Sequence, residues 1–255
     1  LMKISNSNSQ SNITEITGAS EKSISNQVLR LGWASIAGNN ILRDYLKVKG
    51  YIVIDGLENK IVSKQCPHDV NIAYDSCSGF IIGYNNSYYR SKGRQTDAQK
   101  ERQKKYNKIL FYEKQSTRKS MESLLFDIYN YGLKDNLLYT DEKKEYKQAR
   151  KILQAKGYHF RHKTISSKAF RNGKNPIAIA NMTERDIRKD LEPYKRKTTY
   201  VAKDMSNSMV KMIIYSFYHN FLKQYRKNDN NSGFHYMYAG IDQKIVDRVL
   251  KEVFE

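Results

Sequence analysis

The change of hydrophobic period near residue 95 constrains the fold of this chain more than any other feature. Between residues 51 and 84, short runs of β-branched and aromatic residues alternate with turn-forming residues. From Thr96 onward, apolar residues recur mainly at helical spacing. The first pattern is typical of strands and the second of amphipathic helices. The sequence therefore predicts an α+β protein.

The strand-like segment predicts a small antiparallel β-sheet of about four strands within residues 50–85. The four runs are residues 51–54, 60–62, 70–74 and 80–84. Asp55-Gly56 is a turn-forming dipeptide and is predicted to reverse the chain between the first two runs. The sheet is predicted to precede a mainly helical C-terminal two thirds.

Capping signals locate several of the predicted helices. Thr96 and Gln99 have the spacing of a capping box, which predicts a helix beginning after Thr96. Thr183 is predicted to cap a short helix that Pro193 closes, and Asp242 to cap a final helix. A helix over residues 27–49 is predicted to be interrupted at residues 38–40, where Gly is followed by two Asn.

These features divide the chain into four predicted parts. They are a polar N-terminal arm (1–26), a helix plus the small antiparallel sheet (27–87), a basic helical region (88–175), and a C-terminal helical region that packs on the rest (176–255). The arm is too poor in apolar residues to order itself alone, so we expect it to lie against a partner.

Positive charge is concentrated in two neighbouring segments. The formal net charge is +19; residues 88–119 contain eleven Lys and Arg against three acids, and residues 143–174 contain eleven against Glu145 alone. Clustered cations interleaved with aromatic rings favour a nucleic-acid partner, because they displace counterions from phosphates and the rings stack on bases. A basic stripe of this kind is the usual electrostatic footprint of DNA or RNA binding.

The two basic segments supply the predicted binding residues. The predicted phosphate contacts are Arg90, Lys92, Arg94, Lys100, Arg102, Lys104, Lys105, Arg161, Lys163, Lys168, Arg171 and Lys174. The predicted base-stacking residues are Tyr88, Tyr89 and Phe160. The favoured interpretation is a non-enzymatic nucleic-acid-binding protein in a larger nucleoprotein or virion-type assembly. Abundant Lys, Asn, Ile and Tyr are typical of an AT-rich genome, such as that of a phage, mobile element or organelle.

Two other functions stay open. Asp55, Glu58 and Lys60 have the residue types of a metal-dependent nuclease or recombination enzyme, in which carboxylates hold Mg²⁺ and activate water; Asp69 or Asp75 would supply further oxygen ligands. This reading comes second, because Asp-Gly and Glu-Asn are common turn residues. The third is a structural assembly protein that binds acidic protein partners.

Cysteine usage and hydropathy bound the remaining possibilities. Cys66, His68 and Cys77 are too irregularly spaced to predict a zinc site, so no metal or other cofactor is expected outside the nuclease alternative. No apolar run reaches the roughly 18 residues of a membrane span, and the N-terminus lacks a signal-peptide pattern. We expect a reducing intracellular location or a place within a virion, no membrane partner and no small-molecule substrate.

Overall fold

A computed structural model describes residues 7–63, 66–89, 94–108, 113–166, 168–170, 172–195, 204–225 and 232–254. The α+β class is confirmed. The strands are β1 (Ile52–Lys60), β2 (Pro67–Asp75), β3 (Ile81–Tyr88), β4 (Leu137–Thr140) and β5 (Arg161–Thr164). The helices are α1 (Gln10–Thr17), α2 (Glu21–Arg43), α3 (Asp97–Asn107), α4 (Ser116–Asn130), α5 (Lys144–Ala155), α6 (Ala178–Asp190), α7 (Met205–Phe221), α8 (His235–Tyr238) and α9 (Gln243–Phe254), with a 3₁₀ turn at Glu192–Tyr194.

The five strands form one mixed sheet in the order β3-β2-β1-β4-β5. β1, β2 and β3 are antiparallel neighbours, whereas β4 runs parallel to β1 and β5 parallel to β4. The central strand β1 is buried on both faces at its start, where Ile52, Val53 and Ile54 have no exposed surface. A continuous apolar run of this kind is typical of a strand covered on both sides.

Each face of the sheet has its own core. On one face, called the bundle face below, Ile54, Ala73 and Leu138 pack with apolar residues of the helices α2, α4, α5, α7 and α9. On the α6 face, Val53 and Ile72 pack with α6 and the 3₁₀ turn. Successive strand residues point to opposite faces. The face of any strand residue can therefore be counted from a neighbour whose core is known.

The sheet differs from the prediction in two places. Residues 51–54 and 60–62 do not form separate strands, because β1 runs unbroken from Ile52 to Lys60. Asp55 and Gly56 lie inside this strand, paired with Ile72 and Asn71 of β2, and not in a turn. The parallel strands β4 and β5 come from the region that was predicted to be helical; β4 pairs with β1, and β5 pairs with β4.

Two helix boundaries were also wrongly predicted. α2 continues through Gly38, where a Cβ atom would lie 2.6 Å from the Phe217 ring; the glycine allows close packing against α7 and does not break the helix. α6 begins at Ala178, which leaves Thr183 buried inside the helix. The capping box of Thr96 and Gln99 is confirmed. Among the described residues, no helix is long and apolar enough to cross a membrane.

Candidate metal-binding carboxylate site

Asp55 and Asp141 are brought together by the parallel pairing of β1 and β4. The register aligns Ile54 with Thr140, so that Asp55 and Asp141 are the next residue on each chain. Asp55 is paired with Ile72 of β2, and the Ile72 side chain belongs to the α6-face core. Strand alternation therefore places the Asp55 carboxylate on the α6 face, beside the position where β4 ends and Asp141 begins the turn into α5.

Glu184 reaches the same face from α6. Ala180, Glu184 and Ile187 share one side of this helix, and Ala180 and Ile187 are fully buried against the α6-face core. Their packing holds Glu184 toward the sheet. The Oε1 atom of Glu184 is buried and has no hydrogen-bond partner among the described residues.

Burial and mutual repulsion disfavour the ionised forms of Asp55 and Glu184. Burial is the main reason why the pKa of Asp55 is raised to about 6, and Asp141 and Asp69 raise it further; the Gly56 N–H, which donates to Asp55 Oδ1 at 2.8 Å, and Lys143 act in the opposite direction. Burial likewise raises the pKa of Glu184 to about 8, with Asp55 as the next largest cause. A cation bound between them would relieve both effects.

A fourth acid lies on the opposite face of β1. Asp69 of β2 is 3% exposed, and its Oδ1 atom has no hydrogen-bond partner in the described part of the chain. Its Oδ2 atom accepts a hydrogen bond from Lys143 Nζ at 3.0 Å, and the same ammonium lies 3.9 Å from Asp141 Oδ2. Burial raises the pKa of Asp69, and Lys143 lowers it.

The donor set suits a hard divalent cation. All of the candidate ligands are carboxylate oxygens, which Mg²⁺ and Mn²⁺ prefer. Within the described ranges, no three His, Cys, Asp or Glu side chains are close enough to hold one ion between them. Mg²⁺ commonly binds through one or two carboxylates and completes its shell with water and substrate phosphate. Asp55 and Asp141 fit that pattern.

Of the predicted nuclease residues, Asp55 belongs to the candidate site, whereas Glu58 and Lys60 lie on the opposite face of β1. Glu58 and Lys60 are two and four positions beyond Gly56 and point with it to the face opposite Asp55. Glu58 is exposed there and is paired across the ladder with Asp69. Asp75 accepts hydrogen bonds from Ser78 in the β2–β3 turn and is remote in the strand from Asp69.

Asp141 and Glu184 were missed by the sequence reasoning. Asp141 follows a short apolar run, Leu137–Thr140, which is a weak strand signal. Glu184 has only its helical spacing from Ala180 and Ile187 to show that it faces inward. Neither signal indicates that the two acids meet Asp55, because only the strand order does so.

The described basic residues are mostly exposed. Exposed cations on or near α3 are Arg94, Lys100, Arg102, Lys104 and Lys105, and those nearer β5 and α6 are Arg161, Lys163, Lys168 and Lys174. Of these nine, Lys100 alone forms an ion pair within the described residues, with Asp97 at 2.9 Å. Arg161 and Lys163 pair with Leu137 and Tyr139 and point to the α6 face. Arg90, Lys92 and Arg171 lie outside the described residues.

The aromatic and zinc candidates occupy varied positions. Tyr88 is half-buried, Tyr89 shares a side-chain hydrogen bond with Glu58, and Phe160 packs edge-to-face on Tyr129. Phe170 is 82% exposed, although the sequence did not single it out for stacking. The zinc candidates are spread over the length of β2: Cys66 and His68 are buried at its start, and Cys77 is exposed in the turn beyond its end.

Comparisons with known proteins add little to this geometry. The chain matches no protein-family model and no curated protein. Among solved structures, it is similar to a chain of the simian T-cell lymphotropic virus intasome in complex with PP2A regulatory subunit B56 gamma. The identity is 15%, the match covers 78% of this chain and 56% of that chain, and the TM-score is 0.40. Similarity at this level supports no conclusion about function.

Proposed function

We propose that this protein is a metal-dependent enzyme that cleaves or transfers phosphodiester bonds in nucleic acid. One observation carries the proposal: Asp55, Asp141 and Glu184, from three separate segments, lie on the same face of the sheet, and the pKa values of Asp55 and Glu184 are raised there. Acids that repel one another and are kept from ionising by burial are destabilising unless they serve a cation, and carboxylates with perturbed pKa values favour a functional site.

Each residue has a distinct part in the proposed chemistry. Asp55 and Asp141 would hold the ion, since the parallel register of β1 and β4 places them side by side. A bound Mg²⁺ lowers the pKa of water and stabilises the charge that develops on phosphate oxygens. Glu184, whose Oε1 atom has no described partner, accepts a hydrogen bond from the attacking water and so orients it.

The proposed substrate is nucleic acid because of the charge around this face. Arg161 and Lys163 on β5 are exposed on the same side of the sheet as the three carboxylates. They are suited to bind the phosphates that flank the reacting one, and the excess charge of +19 attracts a polyanion. Cys66 and Cys77 form no disulfide, which is in keeping with a reducing, intracellular or intravirion location as part of this proposal.

The test is cleavage or strand transfer of labelled DNA and RNA, single- and double-stranded, with Mg²⁺ or Mn²⁺. We expect Asp55→Asn and Asp141→Asn each to lower the rate by at least about a hundredfold, since even the residues behind metal ligands typically cost ten- to a hundredfold. Asp97→Asn is the matched control, because Asp97 is exposed at the start of α3. Binding measured in parallel should be retained in the Asn variants.

The outcomes separate the open interpretations. Nucleic-acid binding without a metal-dependent reaction would overturn the enzyme proposal and favour a non-enzymatic component of a nucleoprotein assembly. Absence of binding to any nucleic acid would instead favour a structural protein with acidic protein partners. A reaction that survives both Asn substitutions would show that the chemistry lies elsewhere in the chain.

A further inference from the structure

The turn that carries Asp141 also carries a lysine whose backbone fixes the Asp141 side chain. Asp141 Oδ1 accepts a hydrogen bond from the Lys143 N–H at 3.1 Å, and Thr140 Oγ1 donates to the Asp141 carbonyl at 2.8 Å. The direction of the Asp141 carboxylate therefore depends on where the backbone of Lys143 lies.

The Lys143 ammonium contacts side chains on the bundle face of the sheet and also lies 3.9 Å from Asp141 Oδ2. It donates to Asp69 Oδ2 at 3.0 Å and lies 5.2 Å from the centre of the Tyr146 ring. Tyr146 in turn donates to Asn71 Oδ1, and Asn71 donates to Ser120 of α4. The ammonium is thus tied to side chains that are themselves fixed by the core. Because Asp69 is almost fully buried, loss of this partner would leave an uncompensated charge.

Gly56 makes room for this ion pair. A Cβ atom at Gly56 would lie 2.5 Å from Asp69 Oδ2 and 2.6 Å from Lys143 Nζ. Its φ angle lies outside the left-handed region, so the backbone conformation itself does not call for glycine. The residue after Asp55 is therefore a glycine for steric reasons: the carboxylate and the ammonium lie directly against β1 at this point.

We propose that the Asp69–Lys143 pair, seated on Gly56, positions Asp141 beside Asp55. Asp69 and Lys143 are positioning residues in this proposal, which rests on the proposed metal-dependent function.

Three substitutions disturb the pair in different ways. Gly56→Ala keeps every charge but displaces the pair, Asp69→Asn removes the carboxylate charge, and Lys143→Met removes the ammonium and keeps the length of the side chain. Gly173→Ala and Lys144→Met are the matched controls, because Gly173 has no atom within 4 Å of the added Cβ and Lys144 is exposed. Thermal unfolding of each variant shows whether it folds.

The first readout is hydrogen exchange of the residue-143 amide, measured by NMR on the metal-free protein. We expect exchange to accelerate about tenfold or more in all three variants, beyond any change in global stability, because the amide loses its fixed acceptor on Asp141. Both controls should exchange at the wild-type rate. Unchanged protection in Gly56→Ala and Lys143→Met would overturn the proposal.

The second readout is Mn²⁺ and Mg²⁺ affinity by titration calorimetry. Positioning predicts that affinity falls about ten- to a hundredfold in each variant, Lys143→Met included. A lysine that merely competed with the metal would predict the reverse sign for Lys143→Met, and tighter binding in that variant would overturn the proposal. If the wild-type protein binds neither ion, the proposed function fails, and the amide exchange still decides whether the pair positions Asp141.

Discussion

Helix α6 carries acids in two contrasting settings. On one side, Asp186 and Asp190 accept hydrogen bonds from Lys223 Nζ at 2.8 and 2.9 Å, and the Lys223 side chain is only 6% exposed. On the other side, Glu184 faces Asp55 and has a buried oxygen with no described partner. Glu184 and Asp186 are only two residues apart, yet Asp186 has a lysine partner and Glu184 faces another acid.

The pKa shifts distinguish the two settings. Burial lowers the pKa of Lys223, but Tyr215, Asp186 and Asp190 outweigh burial, and the pKa ends above its ordinary value. Burial raises the pKa of Glu184, and Asp55 adds to this effect. The first cluster is stable in its charged form as it stands, whereas the second needs a proton or a metal cation. The first has the properties of a structural ion-pair network and the second those of a site.

The largest expected effect on stability tests the structural side of this comparison. Lys223→Met should lower the free energy of unfolding by about 3 kcal/mol, the lower end of the range for breaking a buried ion pair, because both partner carboxylates keep some contact with solvent. Urea denaturation at neutral pH measures the change. A loss below about 1 kcal/mol would mean that the cluster behaves as a surface ion pair.

A smaller effect tests the neutral histidines beside Lys223. The rings of His219 and His235 lie 3.9 Å apart, and burial lowers the pKa of His235 to about 4 and that of His219 well below its ordinary value. Because the folded state disfavours their protonation, stability should be complete above about pH 6.5 and should fall as the pH drops toward 4. We expect His235 to account for about 2 kcal/mol of the loss between pH 7.5 and pH 5.

Denaturation at these two pH values, compared between the wild-type protein and His235→Gln, isolates this contribution. The variant should show the shallower pH dependence. Equal pH dependence in both proteins would place the acid sensitivity in other groups.

The smallest effect on stability is expected for Glu184, in the proposed functional site. Glu184→Gln should change the free energy of unfolding by no more than about 1 kcal/mol, and in the stabilising direction, because it replaces an unpartnered buried carboxylate with a neutral amide. Cleavage should nevertheless fall by about a hundredfold. Asp190→Asn is the matched control, with the reverse pattern of a small stability loss and unchanged cleavage. If both substitutions behaved alike, the two clusters would not differ in role.

Among the local signals in the sequence, the Thr96 capping box predicted its helix correctly, the predicted cap at Thr183 was wrong, and two glycines were misinterpreted where distant packing decides. The capping box at Thr96 and Gln99 involves four neighbouring residues and is confirmed. Gly38 and Gly56 were interpreted as a helix break and a turn, because glycine is unfavourable in regular structure. Both glycines instead admit side chains from distant parts of the chain: the Phe217 ring at Gly38 and the Asp69–Lys143 pair at Gly56.

The candidate site was predicted only in part for the same reason. Asp55 was identified from its residue type, but its partners were sought nearby at Glu58 and Lys60, which alternation places on the opposite face. Asp141 and Glu184 are brought to the same face as Asp55 only by the parallel pairing of β4 with β1 and the packing of α6. The partners of Asp55 cannot be inferred without the strand order.

The central position of β1 has a consequence for how the chain folds during its synthesis. Its antiparallel partner β2 follows within a few residues, but its parallel partner β4 emerges much later, and α6 later still. The three-stranded meander can therefore form while Asp55 still faces water, and mutual repulsion among the acids arises only after the apolar layers on both sides have assembled. Contacts this distant in sequence slow folding. Divalent ions present during refolding should accordingly act on the final docking of α6 and not on the initial collapse.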